Sequence, residues 1–103
     1  MFTLAFAGDV MLGRGVNQAL RNEPDRRRPW NDVLPLLLDS DLRLINLECA
    51  ITEHRKAWDR TFKVFHFRAD PPGIEFLKAA KIDGVSLANN HSLDFEEQGL
   101  LDT

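Results

Sequence analysis

Three short apolar runs constrain this chain most: residues 3–7 (Thr-Leu-Ala-Phe-Ala), 42–47 (Leu-Arg-Leu-Ile-Asn-Leu) and 83–88 (Asp-Gly-Val-Ser-Leu-Ala). Each has the length of a buried strand and breaks off at residues that favour a turn or loop. The segments between them carry apolar residues at helical spacing. Strands alternating with helices predict an α/β chain with a largely parallel sheet and flanking helices. Such sheets bind ligands at the carboxyl ends of their strands. The residues at those ends are Asp9, Glu48, and Asn90 with His91.

The helical segments are legible one by one. Val16, Ala19 and Leu20 predict a short helix that fades at Arg21 and Asn22. The Arg26-Arg27-Arg28 run follows Glu23 and Asp25, lacks interleaved aromatics, and reads as a solvated loop. Trp30, Val33, Leu34, Leu37 and Leu38 form a helical stripe, and Pro35 places that helix start near Asp32, where a missing amide does least harm. Residues 62–67 alternate loosely and read as a short edge strand. Asp70 before Pro71 has the form of a helix N-cap for a helix carrying Ile74, Phe76, Leu77 and Ala80. Asp94 with Glu97 has capping-box spacing and opens a last helix. The chain closes inside that helix, so residues 1–103 read as the N-terminal part of a longer domain.

Composition removes several function classes. With 44% hydrophobic and 28% charged residues this is an ordinary globular composition. A net charge of −3 gives no reason to expect a nucleic-acid partner. The single cysteine, Cys49, excludes an internal disulfide and reads as a small buried hydrophobe rather than a thiol ligand beside Glu48. No apolar run is long enough to span a bilayer, so no membrane segment is expected. The first residues lack the form of a signal peptide. That points to the cytoplasm, or to a membrane-associated or extracytoplasmic place if an upstream segment precedes Met1.

Side by side on a parallel sheet, Asp9 and Glu48 would converge with the Asn90 amide and the His91 imidazole. Oxygen-rich sites with a nitrogen suit Mg²⁺, Mn²⁺, Fe²⁺ or Zn²⁺. Two carboxylates forced together repel, and a cation is the simplest remedy. Taken singly, each has a bland reading: a turn aspartate, a surface glutamate, loop asparagines, a structural histidine. Arg14, close after Asp9, suits an anionic substrate or a surface ion pair. His54 and His66 read as surface and strand histidines.

Gly8-Asp9-Val10-Met11-Leu12-Gly13-Arg14, then Asn46-Leu47-Glu48 with Thr52, then Phe67-Arg68-Ala69, resemble successive blocks of the bacterial poly-gamma-glutamate capsule synthesis (CapA, PGA_cap) family. Leu87-Ala88-Asn89-Asn90-His91 with Asp94 and Gly99-Leu100-Leu101-Asp102-Thr103 is the most specific block. The resemblance runs from Thr3 to Thr103. It implies a partial metallophosphatase-like (calcineurin-like) sandwich with a divalent metal centre. Asp9 would be a terminal ligand, Glu48 would take the bridging-carboxylate position, and Asn90 would bind through its amide oxygen. His91 would act on the substrate as a proton donor or oxyanion partner. The implied protein is a metal-dependent hydrolase acting on a phosphate ester or amide of an anionic small molecule or polymer. The alternative is a non-catalytic accessory protein that binds anionic polymer for capsule assembly or export. Two departures stand out. Met11 occupies the position where metallophosphoesterases carry histidine, and a thioether is a poor ligand for hard ions. Glu96 stands where the family tends to have glycine. The resemblance implies that later histidine-bearing motifs, which would complete the metal centre, are expected past Thr103.

Overall fold

In the computed structural model of residues 1–103, β1 (Leu4–Val10), β2 (Leu42–Leu47) and β5 (Gly84–Ser86) form a parallel sheet in the order β1-β2-β5. Helices α1 (Arg14–Arg21), α2 (Leu34–Leu38), α3 (Ile74–Ala79) and α4 (Glu96–Asp102) flank it. A second small parallel pair joins β3 (Ala50–Ile51) to β4 (Arg68–Ala69). The α/β expectation therefore holds, with a small parallel sheet and flanking helices.

The first strand is longer than its sequence suggested. Gly8-Asp9 does not end it: the pairing with β2 shifts register between Phe6 and Asp9, and Gly8 sits there at φ +70. A bulge with glycine in the left-handed region inserts one extra residue without breaking the strand. Asp9 and Val10 then pair with Asn46 and Leu47. This bulge moves Asp9 onto the same side of the sheet as Asn46, because paired residues share a face.

The core lies on the face carrying Ile45 and Leu47. There Leu12, Leu20, Ile51, Ala69, Phe76 and Leu77 close over the strands, with Cys49 among them. Burial raises the Cys49 thiol to about 11, so it packs as a neutral hydrophobe, as expected. On the opposite face Phe6, Leu44 and Gly84 line an open groove of about 440 Å³, and Leu4 and Phe6 are exposed. No helix is long and apolar enough to cross a membrane.

Several expected caps and strands are built differently. Residues 62–67 are not a strand; the short ladder forms just beyond them, at Arg68 and Ala69, while the Phe67 N–H goes to Asp94. Pro35 does fall in the first turn of its helix, but a 3₁₀ turn (Arg28–Val33) precedes it. Asp70 has extended backbone before Pro71, yet its carboxylate caps nothing. Instead it accepts from Arg21 Nε at 2.6 Å and Asn17 Nδ2 at 3.2 Å, and meets Arg68 Nη2 at 3.0 Å. These contacts tie α1 to the turn before α3. The Arg21 hydrogen bond, with help from Asn17 and Arg68, lowers the Asp70 carboxyl to about 2. A depressed folded-state value stabilises fully above the unfolded value of about 3.9 and is lost as pH falls through the folded one. Acid unfolding followed by circular dichroism should therefore show wild type losing stability between about pH 4 and pH 2. The Asp70→Asn variant should be less stable at neutral pH and flatter across that window; equal slopes would remove the Asp70 contribution.

The last helix begins at Glu96, with Phe95 in the cap position and no side-chain cap, so the Asp94–Glu97 capping box does not form. Glu96 has φ +62, the left-handed region that disfavours residues with a Cβ. Its carboxylate accepts from His54 Nε2 at 2.9 Å and meets Lys56 Nζ at 3.1 Å, which hold it below the usual glutamate range, His54 first. Side-chain pairing thus offsets backbone strain at Glu96. Glu96→Ala removes the pairing and keeps the strain, whereas Glu96→Gly removes both. Thermal melts should rank the glycine variant above the alanine variant. The reverse order would mean that the backbone there is not strained.

Candidate functional site

Residues two apart on a strand share a face, so Asn46 and Glu48 come out together at the carboxyl end of β2. The Gly8 bulge delivers Asp9 beside them. The Asn46 amide nitrogen donates to Asp9 Oδ1 and to Glu48 Oε1, each at 2.9 Å. One neutral amide therefore bridges two carboxylates, neither of which is ion-paired with an arginine, lysine or histidine of the chain. Asp9 is exposed and Glu48 is half-buried.

The loop after β5 continues this network. The Asn89 amide nitrogen donates to Asn46 Oδ1 and to the Leu47 carbonyl, both at 2.9 Å. Asn89 Oδ1 accepts the His91 backbone N–H at 2.9 Å. Asn90 is exposed, and its backbone carbonyl accepts from Lys63 Nζ. His91 is buried, with its Nδ1 at 2.6 Å from Asp94 Oδ2 and its ring stacked on Phe67 at 4.1 Å. The Arg14 guanidinium lies 5.0 Å over Phe65, which stacks on Phe67. An aromatic row thus runs from Arg14 to His91. Arg14 has φ +55, an outlier of the kind that collects at functional sites, and no carboxylate pairs with it.

The structure therefore joins Asp9, Glu48 and the His91 backbone through Asn46 and Asn89, while the recorded contact of Asn90 is through its main chain. Sequence reasoning passed over Asn46, Asn89, Asp94 and Lys63 as site groups. The spacing of Asn46 to Glu48 carried a usable signal; Lys63, in an irregular loop, carried none. Met11 turns its sulfur to the Gly13 N–H at 2.9 Å and packs against the core. His54 binds Glu96, and His66 Nε2 meets the Trp58 carbonyl at 2.9 Å.

The donor set fits part of a hard-ion centre: two carboxylates without a cationic partner, with asparagine amides beside them. No three His, Cys, Asp or Glu side chains gather as a metal-holding group.

Such a chain is a parallel α/β unit that gathers carboxylates, amides and one histidine at the carboxyl edge of its sheet. Residues 3–103 match the family described as bacterial capsule synthesis protein PGA_cap, and the chain belongs to that family. It is 35% identical over 133 residues to a protein of Mycobacterium tuberculosis (strain CDC 1551 / Oshkosh) named "Probable polyglutamine synthesis accessory protein". That match covers 98% of this chain and 34% of the relative. It is 27% identical over 103 residues to the "PGA biosynthesis protein CapA" of Bacillus subtilis (strain 168), covering 100% of this chain and 27% of the relative. It is 30% identical over 102 residues to the "Capsule biosynthesis protein CapA" of Bacillus anthracis, covering 98% and 25%. The chain spans about a third or less of the length of these relatives.

Proposed function

We propose that the full-length protein works in poly-gamma-glutamate or capsule synthesis as a metal-dependent hydrolase of a phosphate ester or amide in an anionic substrate. Asp9, Glu48 and Asn90 would hold a divalent ion, Mn²⁺, Zn²⁺, Fe²⁺ or Mg²⁺. A bound ion would supply Lewis acidity and a more acidic water. His91 would exchange a proton with the substrate, and Arg14 would attract its negative charge. The observation that carries this reading is the Asn46 bridge: two carboxylates held one amide apart, neither paired with an arginine, lysine or histidine of the chain. The family's name and those of the relatives supply the process.

A second reading has its own support. The mycobacterial relative is named an accessory protein, and the chain gathers no three-residue metal group. On that reading the polar edge binds anionic polymer without turnover.

The test uses full-length wild type, Glu48→Gln and His91→Ala, each titrated with Mn²⁺, Zn²⁺ and Mg²⁺ by calorimetry. The same proteins are assayed on phosphate esters and gamma-glutamyl amides. Losing a direct ligand should weaken metal binding by more than the roughly 10–100-fold that outer partners cost. His91→Ala should keep the metal and lose about 10²–10⁴-fold in turnover. A wild type that binds no ion removes the metal site. Metal binding with polymer affinity but no hydrolysis makes the accessory reading the better one.

A further inference from the structure

The cationic side chains along residues 60–68 are taken: Arg60 by Glu97, Lys63 by Asp94 and Arg68 by Asp70. Arg14, which packs against the same segment, is exposed and meets no carboxylate. What holds it is a ring: its guanidinium carbon lies 5.0 Å from the Phe65 centroid. We propose that Arg14 on Phe65 forms an oxyanion subsite, with Phe65 as its positioning residue, for a carboxylate or phosphate group of the ligand set back from His91.

Two contacts bring the pair together from opposite sides. A Cβ added at Gly13 would stand 2.9 Å from the Arg68 nitrogen and 3.1 Å from its carbonyl oxygen. Only glycine lets the loop before α1 press on that backbone. Arg14 follows at φ +55, a costly conformation for a residue with a Cβ. On the other side, Phe65 stacks on Phe67 with centroids 6.4 Å apart, and the Phe67 carbonyl accepts the Ala50 N–H at 3.0 Å. The platform is therefore tied to the β3–β4 ladder although Phe65 itself is 52% exposed. An aromatic face attracts a guanidinium without consuming its N–H groups. Those groups stay able to clasp two oxygens of a carboxylate or phosphate at once. From Phe65 the stack runs 6.4 Å to Phe67 and a further 4.1 Å to His91, so the subsite lies beside the polar edge and not within it. That offset suits a ligand with a negative group apart from the one at the edge.

The subsite rests on the anionic ligand that the hydrolase and accessory readings share, and not on turnover. The test is calorimetric binding of two probes to the full-length protein in chelator: a gamma-linked glutamate trimer and glycerol phosphate. Arg14→Ala should weaken at least one probe about tenfold, and the probe affected gives the source of the oxyanion. Arg14→Lys should recover little, because an ammonium neither stacks nor forks in the same way. Phe65→Leu should weaken the same probe about threefold, yet change nothing further in an Arg14→Ala background, since it acts through the arginine. Phe62→Leu, which removes a 94% exposed ring from the same loop, should bind like wild type. Equal losses from Phe62→Leu and Phe65→Leu, full affinity in Arg14→Lys, or a wild type that binds neither probe overturns the proposal. In the wild type, the Arg14 side-chain N–H signals should show contact with the Phe65 ring and shift as the probe is added. Finding neither contact nor shift overturns it even where a variant fails to fold. A wild type that hydrolyses nothing but binds through Arg14 removes the hydrolase and keeps the subsite. Probe binding that Arg14→Ala leaves unchanged removes the subsite and leaves the hydrolase standing.

Discussion

Replacing Asp94 by alanine should cost the protein about 3–5 kcal/mol of stability, the range seen when one partner of a buried charged network is removed. The side chain is completely shielded from solvent and serves three groups at once: the Phe67 N–H, His91 Nδ1 and the Lys63 ammonium. Alanine leaves the Phe67 amide without its side-chain acceptor. It leaves the Lys63 ammonium without a counter-charge, although that side chain keeps 22% exposure and can partly turn outward. It also loosens the loop after β5 from the segment entering β4, because the Asp94 carbonyl already accepts the Trp58 N–H at 2.8 Å and the carboxylate adds the second tie. Urea unfolding of wild type and variant, compared at equal slope, measures the difference. A loss below about 1 kcal/mol, typical of an exposed polar site, would mean that the network relaxes or takes in water.

The second large effect is expected at Arg43, a buried arginine at the start of the central strand. Its Nη1 donates to the carbonyls of Leu37 at 3.0 Å and Ser40 at 2.8 Å, and its Nη2 to that of Asp41 at 3.2 Å. Those carbonyls belong to the end of α2 and the turn after it, where helix geometry leaves acceptors unsatisfied. Nε meets Asp83 Oδ2 at 2.9 Å, just before β5. The Asp83 carboxyl is held below its ordinary range, first by the Arg43 backbone N–H and then by the side chain. One planar fork therefore aligns α2, β2 and β5. Arg43→Ala should lose about 2–4 kcal/mol from the carbonyl bonds and the vacated volume. Arg43→Lys should recover only a minor part, because an ammonium is a point donor and cannot span several acceptors in fixed directions. Equal melting of lysine variant and wild type would show that charge alone suffices there.

Both residues show how far a sequence can be read. Arg43 interrupts the apolar run 42–47, and that run still reads as a strand because Leu42, Leu44, Ile45 and Leu47 keep it apolar. Its role as a clamp was invisible, since its acceptors are main-chain carbonyls that carry no residue signature. Asp94 had the spacing of a helix cap, and local pattern favoured that reading. The structure turns it inward because an amide from Phe67, 27 residues away, arrives where a carboxylate can take it. Gly8-Asp9 read as a turn for the same reason: glycine before aspartate is common in turns, and only pairing with β2 shows a bulge.

By itself, the sequence determined the alternation of strands and helices, the parallel sheet, the buried Cys49 and the placing of Asp9 and Glu48 near strand ends. These follow from hydrophobic periodicity and chain direction, which are local properties. Only the tertiary structure decided which polar atoms meet: that Asn46 bridges Asp9 and Glu48, that Asn89 carries the network onward, and that His91 turns Nδ1 to Asp94 and leaves Nε2 free. Hydrogen bonds act over about 3 Å between groups far apart in the chain, so their partners exist only once the sheet has brought the loops together.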